Sequence, residues 1–202
     1  MTSSKAPVAV AVFLSGGGRS LQNLIDYQRK GILGNIEFQL AISSSSKVRG
    51  VQIARDAGIE TRVVLKSAFA EPDDYTEAMF GPCREQGIRL VVMAGFLKHV
   101  RIPNDYARRV INIHPSLLPS FGGEGMYGNR VHQAALNRGV QFSGCTVHYV
   151  DNDYDNGPII LQRCCAVAKD DTAESLAARV FQLECEALPE ALLESASSLE
   201  RR

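Results

Sequence analysis

A chain of 202 residues, 45% hydrophobic and 22% charged, has the composition of one soluble globular domain with a single sizeable core. Its 22 Lys and Arg balance its 22 Asp and Glu, so no net charge draws it to nucleic acid or to an anionic membrane, and any anion site has to be local. Its longest apolar runs are far too short to span a membrane.

In chain order, "VAVAVFL" (residues 8–14) predicts a buried first strand, and the segment around it is a poor match to a signal peptide. It runs directly into "SGGGRS", after which Leu21, Leu24 and Ile25 recur at helical spacing. "IEFQLAIS" predicts a second strand, "VRGVQIARDAG" a helix that stops at Gly58, and "TRVVL" a short third strand. Residues 71–87 read as helical, with Gly81 and Pro82 expected to kink or split the helix. "IRLVVMAGF" predicts an apolar fourth strand and residues 110–113 a fifth. Strands alternating with helices point to a Rossmann-like α/β fold, a mostly parallel sheet with helices on both faces.

Past residue 120 the pattern changes. A glycine-rich loop, "FGGEGMYGN", leads to a short helix over 130–138. "GCTVHYV" and "PIILQRCCAV" follow as strands with no helix-length segment between them, which makes them antiparallel neighbours. "TAESLAARVFQLECEAL" predicts an amphipathic helix with Leu176, Val180, Leu183 and Ala187 on one stripe, capped by Asp171 and Glu174. No repeat or linker divides the chain, so one domain is expected over 1–202, with 1–7 and 197–202 frayed.

Three stretches carry candidate chemistry. In "RRVINIHPSLLPS" the alternation of a strand puts Asn112 and His114 on one face. An amide donor beside a side chain that charges near neutral pH suits a developing oxyanion. On those two residues alone, a hydrogen-bonded structural histidine is the stronger reading. In "FLSGGGRSLQ" the glycines at 16–18 open a helix, whose free N–H groups attract an anion. No G-K-[ST] follows, Leu21 occupies the third glycine position of a dinucleotide fingerprint, and "SSSS" (43–46) stands where a ribose-binding carboxylate belongs, so a lone phosphate fits better than NAD. In "DNDYDNGPII" (151–160), Asp151, Asp153 and Asp155 are either turn formers or the source of one carboxylate that keeps His114 protonated.

The remaining titratable residues are less informative. His148 sits in an alternating strand where packing is at least as good a reading as chemistry, and His99 and His132 have no legible partner. Tyr127 is either a lid contact or a surface aromatic. The five cysteines show no C-x-x-C, and the adjacent Cys164 and Cys165 face opposite sides of a strand, which suits reduced thiols in a cytoplasmic protein. No zinc spacing is present, and no metal is expected.

Read together, "SGGGRSLQNLID", "VVMAGFLKHV", "INIHPSLLPSFGG", "GCTVHYVDNDYDNGPIILQ" and "LAARVFQLECEALP" follow the order seen in the glycinamide ribonucleotide formyltransferase family. The resemblance spans about residues 8–193, and NIHPSLLP with a downstream D-x-G-P is highly specific for folate-dependent formyltransferases. It implies the formyltransferase fold and a step of purine biosynthesis, with 10-formyltetrahydrofolate as co-substrate and no metal. It also implies roles for particular residues. Asn112, His114 and Asp155 match the catalytic trio; Gly18, Arg19 and Ser20 match the loop that holds the ribonucleotide phosphate; Glu184 matches a carboxylate on the ribonucleotide. Leu97, Lys98, His99 and Val100, with Asn112 and the loop Asp151, Asn152, Asp153 and Tyr154, match segments around the folate.

The chain also departs from the family. Arg19-Ser20 replaces the Ser-Asn or Thr-Asn frequent after the loop glycines, and "AEPDDY" lacks the basic folate-tail contact common near the third helix. The implied partners are small molecules, with neither nucleic acid nor membrane. Rival readings are a methionyl-tRNA formyltransferase, which usually carries a further C-terminal domain, and a formyltetrahydrofolate hydrolase, which usually carries an N-terminal regulatory one. A non-catalytic phosphate-binding module would need no such trio.

Overall fold

A computed structural model describes residues 6–200. Seven strands form one sheet in the order β3-β2-β1-β4-β5-β6-β7. β1 (Val8–Leu14), β2 (Ile36–Ser43), β3 (Glu60–Val63), β4 (Leu90–Met93) and β5 (Val110–His114) pair in parallel. β6 (Phe142–Tyr149) and β7 (Ile159–Ala166) complete the sheet antiparallel. The expected α/β architecture and the antiparallel C-terminal pair are therefore present.

β1 explains the sheet's organisation. All seven of its residues are buried, as a central parallel strand covered on both faces requires. Val8, Val10, Val12 and Leu14 pack on one side with Leu21, Leu24 and Ile25 of α1 (Arg19–Arg29) and Leu176, Val180 and Leu188 of the last helix. Ala9, Ala11 and Phe13 face the other side, against Tyr75, Met79, Phe80 and Cys83. Those four residues lie on the helix Pro72–Glu85, which follows α2 (Arg49–Asp56) and is α3 here. α4 (Asn129–Arg138) follows the glycine-rich loop, and the last helix, α5, runs from Ala173 to Glu200.

Several boundaries differ from those expected. The α3 helix continues through Gly81 and Pro82, held by Phe80 and Cys83 in the core on either side. β4 stops at Met93 because Gly95, at φ 71°, turns the chain out of the sheet. α5 passes Pro189 without breaking. That proline has no N–H for the Cys185 carbonyl four residues back, and Asn23 Nδ2 of α1 donates to this carbonyl instead, at 2.8 Å. The cap of α5 lies one residue later than expected. Thr172 and Ser175 exchange hydroxyl-to-N–H bonds at 3.2 and 2.9 Å, while Asp171 binds Arg179. Of the termini expected to fray, 1–5 and 201–202 lie outside the described residues; residues 197–200 continue α5, and Leu199 accepts a hydrogen bond from Arg89.

Candidate active site

The C-terminal ends of β1, β4 and β5 open onto a cavity of about 720 Å³, where ligands bind in open α/β sheets. At one end lies the glycine loop. Gly18 sits at φ 72°, and a Cβ there would stand 2.5 Å from the Gly50 Cα, so only glycine lets α1 and α2 begin side by side. α1 has no side-chain cap and no acidic residue in its first turn, which leaves its leading N–H groups free for an anion.

The polar centre is built where β5 meets β6. Asn112 and His114 point to the same side of β5, and register places His148 of β6 directly opposite Asn112. His148 Nδ1 donates to the Tyr149 carbonyl at 2.9 Å, so its Nε2 accepts from the Asn112 amide at 3.2 Å. Asp155, on the loop between β6 and β7, has φ 53°. That left-handed conformation is one that Asp tolerates better than most residues. Its Oδ2 lies 3.4 Å from His114 Nδ1, its Oδ1 3.6 Å from His148 Nε2, and Gly123 N donates to Oδ2 at 2.9 Å. His114 Nε2 donates to the Phe121 carbonyl at 2.9 Å.

Both His114 ring nitrogens thus face acceptors, an arrangement that favours imidazolium. Burial works against it and wins, holding His114 below the ordinary histidine value despite Asp155 and the Phe121 carbonyl. A carboxylate neighbour was expected to keep His114 protonated; the neighbour is present, but the desolvation was not visible in the sequence. For Asp155, burial pushes upward, but the neighbouring His148 and His114 rings and the Gly123 N–H outweigh it, leaving a carboxylate below its usual range. Burial raises Glu184 to about 7, with Arg19 opposing.

The cavity brings together Gly18, Arg19, Ser20, Leu97, Lys98, Asn112, His114, Tyr154, Asp155 and Glu184 from the sequence-based set. The other members of that set do not line it. Val100 is a core residue. His99 stacks near Tyr154, and its Nε2 meets the Asn152 carbonyl at 3.2 Å. Asn152 Oδ1 accepts from Ile102 N, while Asp151 accepts from the N–H of Asp153 within its own turn. Two buried histidines were undervalued. His148 would have been found from the antiparallel register opposite Asn112. His132, on α4, lines the cavity with its Nδ1 unpartnered among the described residues, and burial followed by His114 lowers its pKa.

The formyl transferase domain family matches residues 8–192. The chain belongs to that family. It is 39% identical over 178 residues to a chloroplastic phosphoribosylglycinamide formyltransferase of Vigna unguiculata, covering 87% of this chain and 56% of that protein. It is 37% identical over 190 residues to the human trifunctional purine biosynthetic protein adenosine-3, covering 93% of this chain and 18% of that one. The chain therefore spans little more than half, or far less, of these relatives. The crystal structure of glycinamide ribonucleotide transformylase 1 from Symbiobacterium toebii superposes with a TM-score of 0.88 at 34% identity, covering 95% of this chain and 89% of that one. Family membership accounts for the fold, including the antiparallel end of the sheet. Among the described residues no helix is long and apolar enough to cross a membrane.

Proposed function

We propose that the protein transfers a formyl group from 10-formyltetrahydrofolate to the amine of glycinamide ribonucleotide in purine biosynthesis. The observation that carries this reading is Asp155 set between His114 and His148, beside Asn112, in the same cavity as a glycine loop that opens a helix with free N–H groups. The family's named relatives act on this ribonucleotide, and a cavity of about 720 Å³ has room for parts of two substrates to meet. The phosphate belongs at Gly18, Arg19 and Ser20, the ribose near Glu184, and the folate along Leu97, Lys98 and Tyr154.

The amine attacks the formyl carbon, its lone pair forming the new C–N bond while the carbonyl pair moves onto oxygen. The Asn112 amide and His114 stabilise that oxyanion. Burial holds His114 largely neutral in the free protein, and the new negative charge supplies the partner that favours imidazolium, so the stabilisation grows toward the transition state. The Phe121 carbonyl gives up its bond to His114 Nε2 as the oxyanion takes its place. Collapse then breaks the bond to the folate nitrogen, which takes up a proton as the amine loses one. Asp155 orients His114 and relays that proton through water. The test is a formyl-transfer assay with both substrates. Fast transfer and slow formate release without the ribonucleotide support the reading, whereas comparable release to water alone refutes it in favour of a hydrolase.

A further inference from the structure

The cavity wall carries three cationic side chains, Arg19, Lys98 and Arg130, and three carboxylates, Glu124, Asp155 and Glu184. A wall so balanced holds a phosphate dianion only where one cation keeps its N–H donors unpaired beside the anion site. Arg130 lies over the Tyr127 ring, 4.9 Å from its centroid, in the first turn of α4 and not beside the glycine loop that opens α1. Lys98 lies on the loop after β4, where the neighbouring Leu97 N–H donates to Ser15 Oγ at 2.8 Å, so it stands beside the loop glycines without belonging to the start of α1. Arg19 follows the glycine loop directly, at the first position of α1. Among the described residues its guanidinium has neither a hydrogen bond nor an ion pair, and it lies 3.6 Å from the centroid of the Phe181 ring.

That contact holds the guanidinium over the aromatic ring. A guanidinium lying on an aromatic face uses its π surface there and keeps its N–H donors at the edge, aimed outward in one plane. Phe181 has no part in either hydrophobic core cluster among the described residues, although α5 otherwise contributes a long apolar stripe to one of them. It lines the cavity one helical turn before Glu184 and one after Ala177. An aromatic residue in that place, lining the cavity outside the core, is explained by the cation it carries.

We propose that the Arg19 guanidinium, held over the Phe181 ring, is the side chain that recognises the phosphate monoester of the acceptor, and that Phe181 is its positioning residue. The inference rests on the proposed acceptor, and it assigns to this chain's Arg19 side chain a contact that would otherwise fall to backbone N–H groups alone. A bidentate guanidinium–phosphate contact of this kind is worth about 10- to 100-fold in affinity.

The test measures the Kd of ribose 5-phosphate, a fragment that carries the phosphate but cannot react, by calorimetry. Arg19→Ala should weaken binding by about 10- to 100-fold, and Arg19→Lys should restore only part of it, since an ammonium has charge but no plane. Phe181→Leu should weaken binding by about 3- to 10-fold where Arg19 is present and by less than about twofold in the Arg19→Ala background, because a positioning residue acts only through its partner. Equal losses from Phe181→Leu in both backgrounds, or a parallel loss of folate-analogue affinity, would show a purely structural role and overturn the proposal. So would an Arg19→Ala protein that binds ribose 5-phosphate within twofold of wild type. Wild-type formyl transfer reports separately on the proposed function, so the two can fail independently.

Discussion

Replacing Asp155 with asparagine removes one charge at the most connected point of the site and changes little in shape. The Asp155 Oδ2 lies 3.4 Å from His114 Nδ1. At an effective dielectric of about 20, a unit pair at that separation interacts by about 5 kcal/mol. Even if screening and the residual amide dipole halve the effect, about 2.5 kcal/mol remains, or roughly two orders of magnitude in rate. The loss should fall on kcat, with KM values moving little, because imidazolium matters most as the oxyanion forms. Burial already holds His114 below its ordinary value, and Asp155 is the largest opposing influence, so the variant should titrate lower still. A histidine NMR titration of both proteins reads this directly. Coincident His114 titration curves, or a variant with near-normal kcat, would refute the reasoning and reduce Asp155 to a turn residue.

Other outcomes follow from the same geometry. His148→Phe fills the space but gives the Asn112 amide no acceptor, so kcat should fall by about tenfold or more with the fold intact by circular dichroism; undiminished turnover would remove His148 from the site. Glu184, raised by burial from 4.5 to about 7, keeps a proton in the folded chain that the unfolded chain releases, so stability falls as pH rises through that window. Glu184→Gln should flatten the fall and exceed wild type above pH 7 by at most about 3 kcal/mol in denaturant titrations. Gly18→Val should lower the melting temperature and weaken both substrates together, since a Cβ there meets the Gly50 backbone; a selective loss of ribonucleotide binding would contradict this. Asn23→Ala should cost about 1–3 kcal/mol of unfolding free energy by stranding the Cys185 carbonyl, and an unchanged denaturation midpoint would show that water replaces the amide.

How far the sequence revealed this protein depends on how local each signal is. The uninterrupted apolar run Val8–Leu14 could only be a strand covered on both faces, and so it is. The shared face of Asn112 and His114 was equally legible, because alternation along β5 requires it. His148 was not, since its meeting with Asn112 depends on the pairing of β5 with a strand from elsewhere in the chain. Asp155 reached the site only through family resemblance; no spacing rule brings a loop carboxylate back over the end of β5. The protonation of His114 was misjudged for a related reason. A sequence displays the charged neighbour, but the loss of solvent around a side chain appears only after the loops have closed over it. The end of α5 was hidden by Pro189, which reads as a stop unless a donor from α1 is known to stand beside it.

That donor has a consequence for the history of the chain. With Asn23 in place, a proline at 189 leaves no carbonyl unanswered; without it, the same proline strands a partly buried acceptor. The reverse order is milder, since any residue other than proline at 189 can supply its own N–H, and Asn23 is then free to vary. Position 23 thus acts as a gate that has to be open before 189 can change, and once 189 is proline the gate is locked behind it. Two sites 166 positions apart in the sequence are bound to a single order of substitution. Chimeras that exchange the N-terminal half of this protein with a relative's should therefore be less stable where position 23 lacks a side-chain donor than where it keeps one.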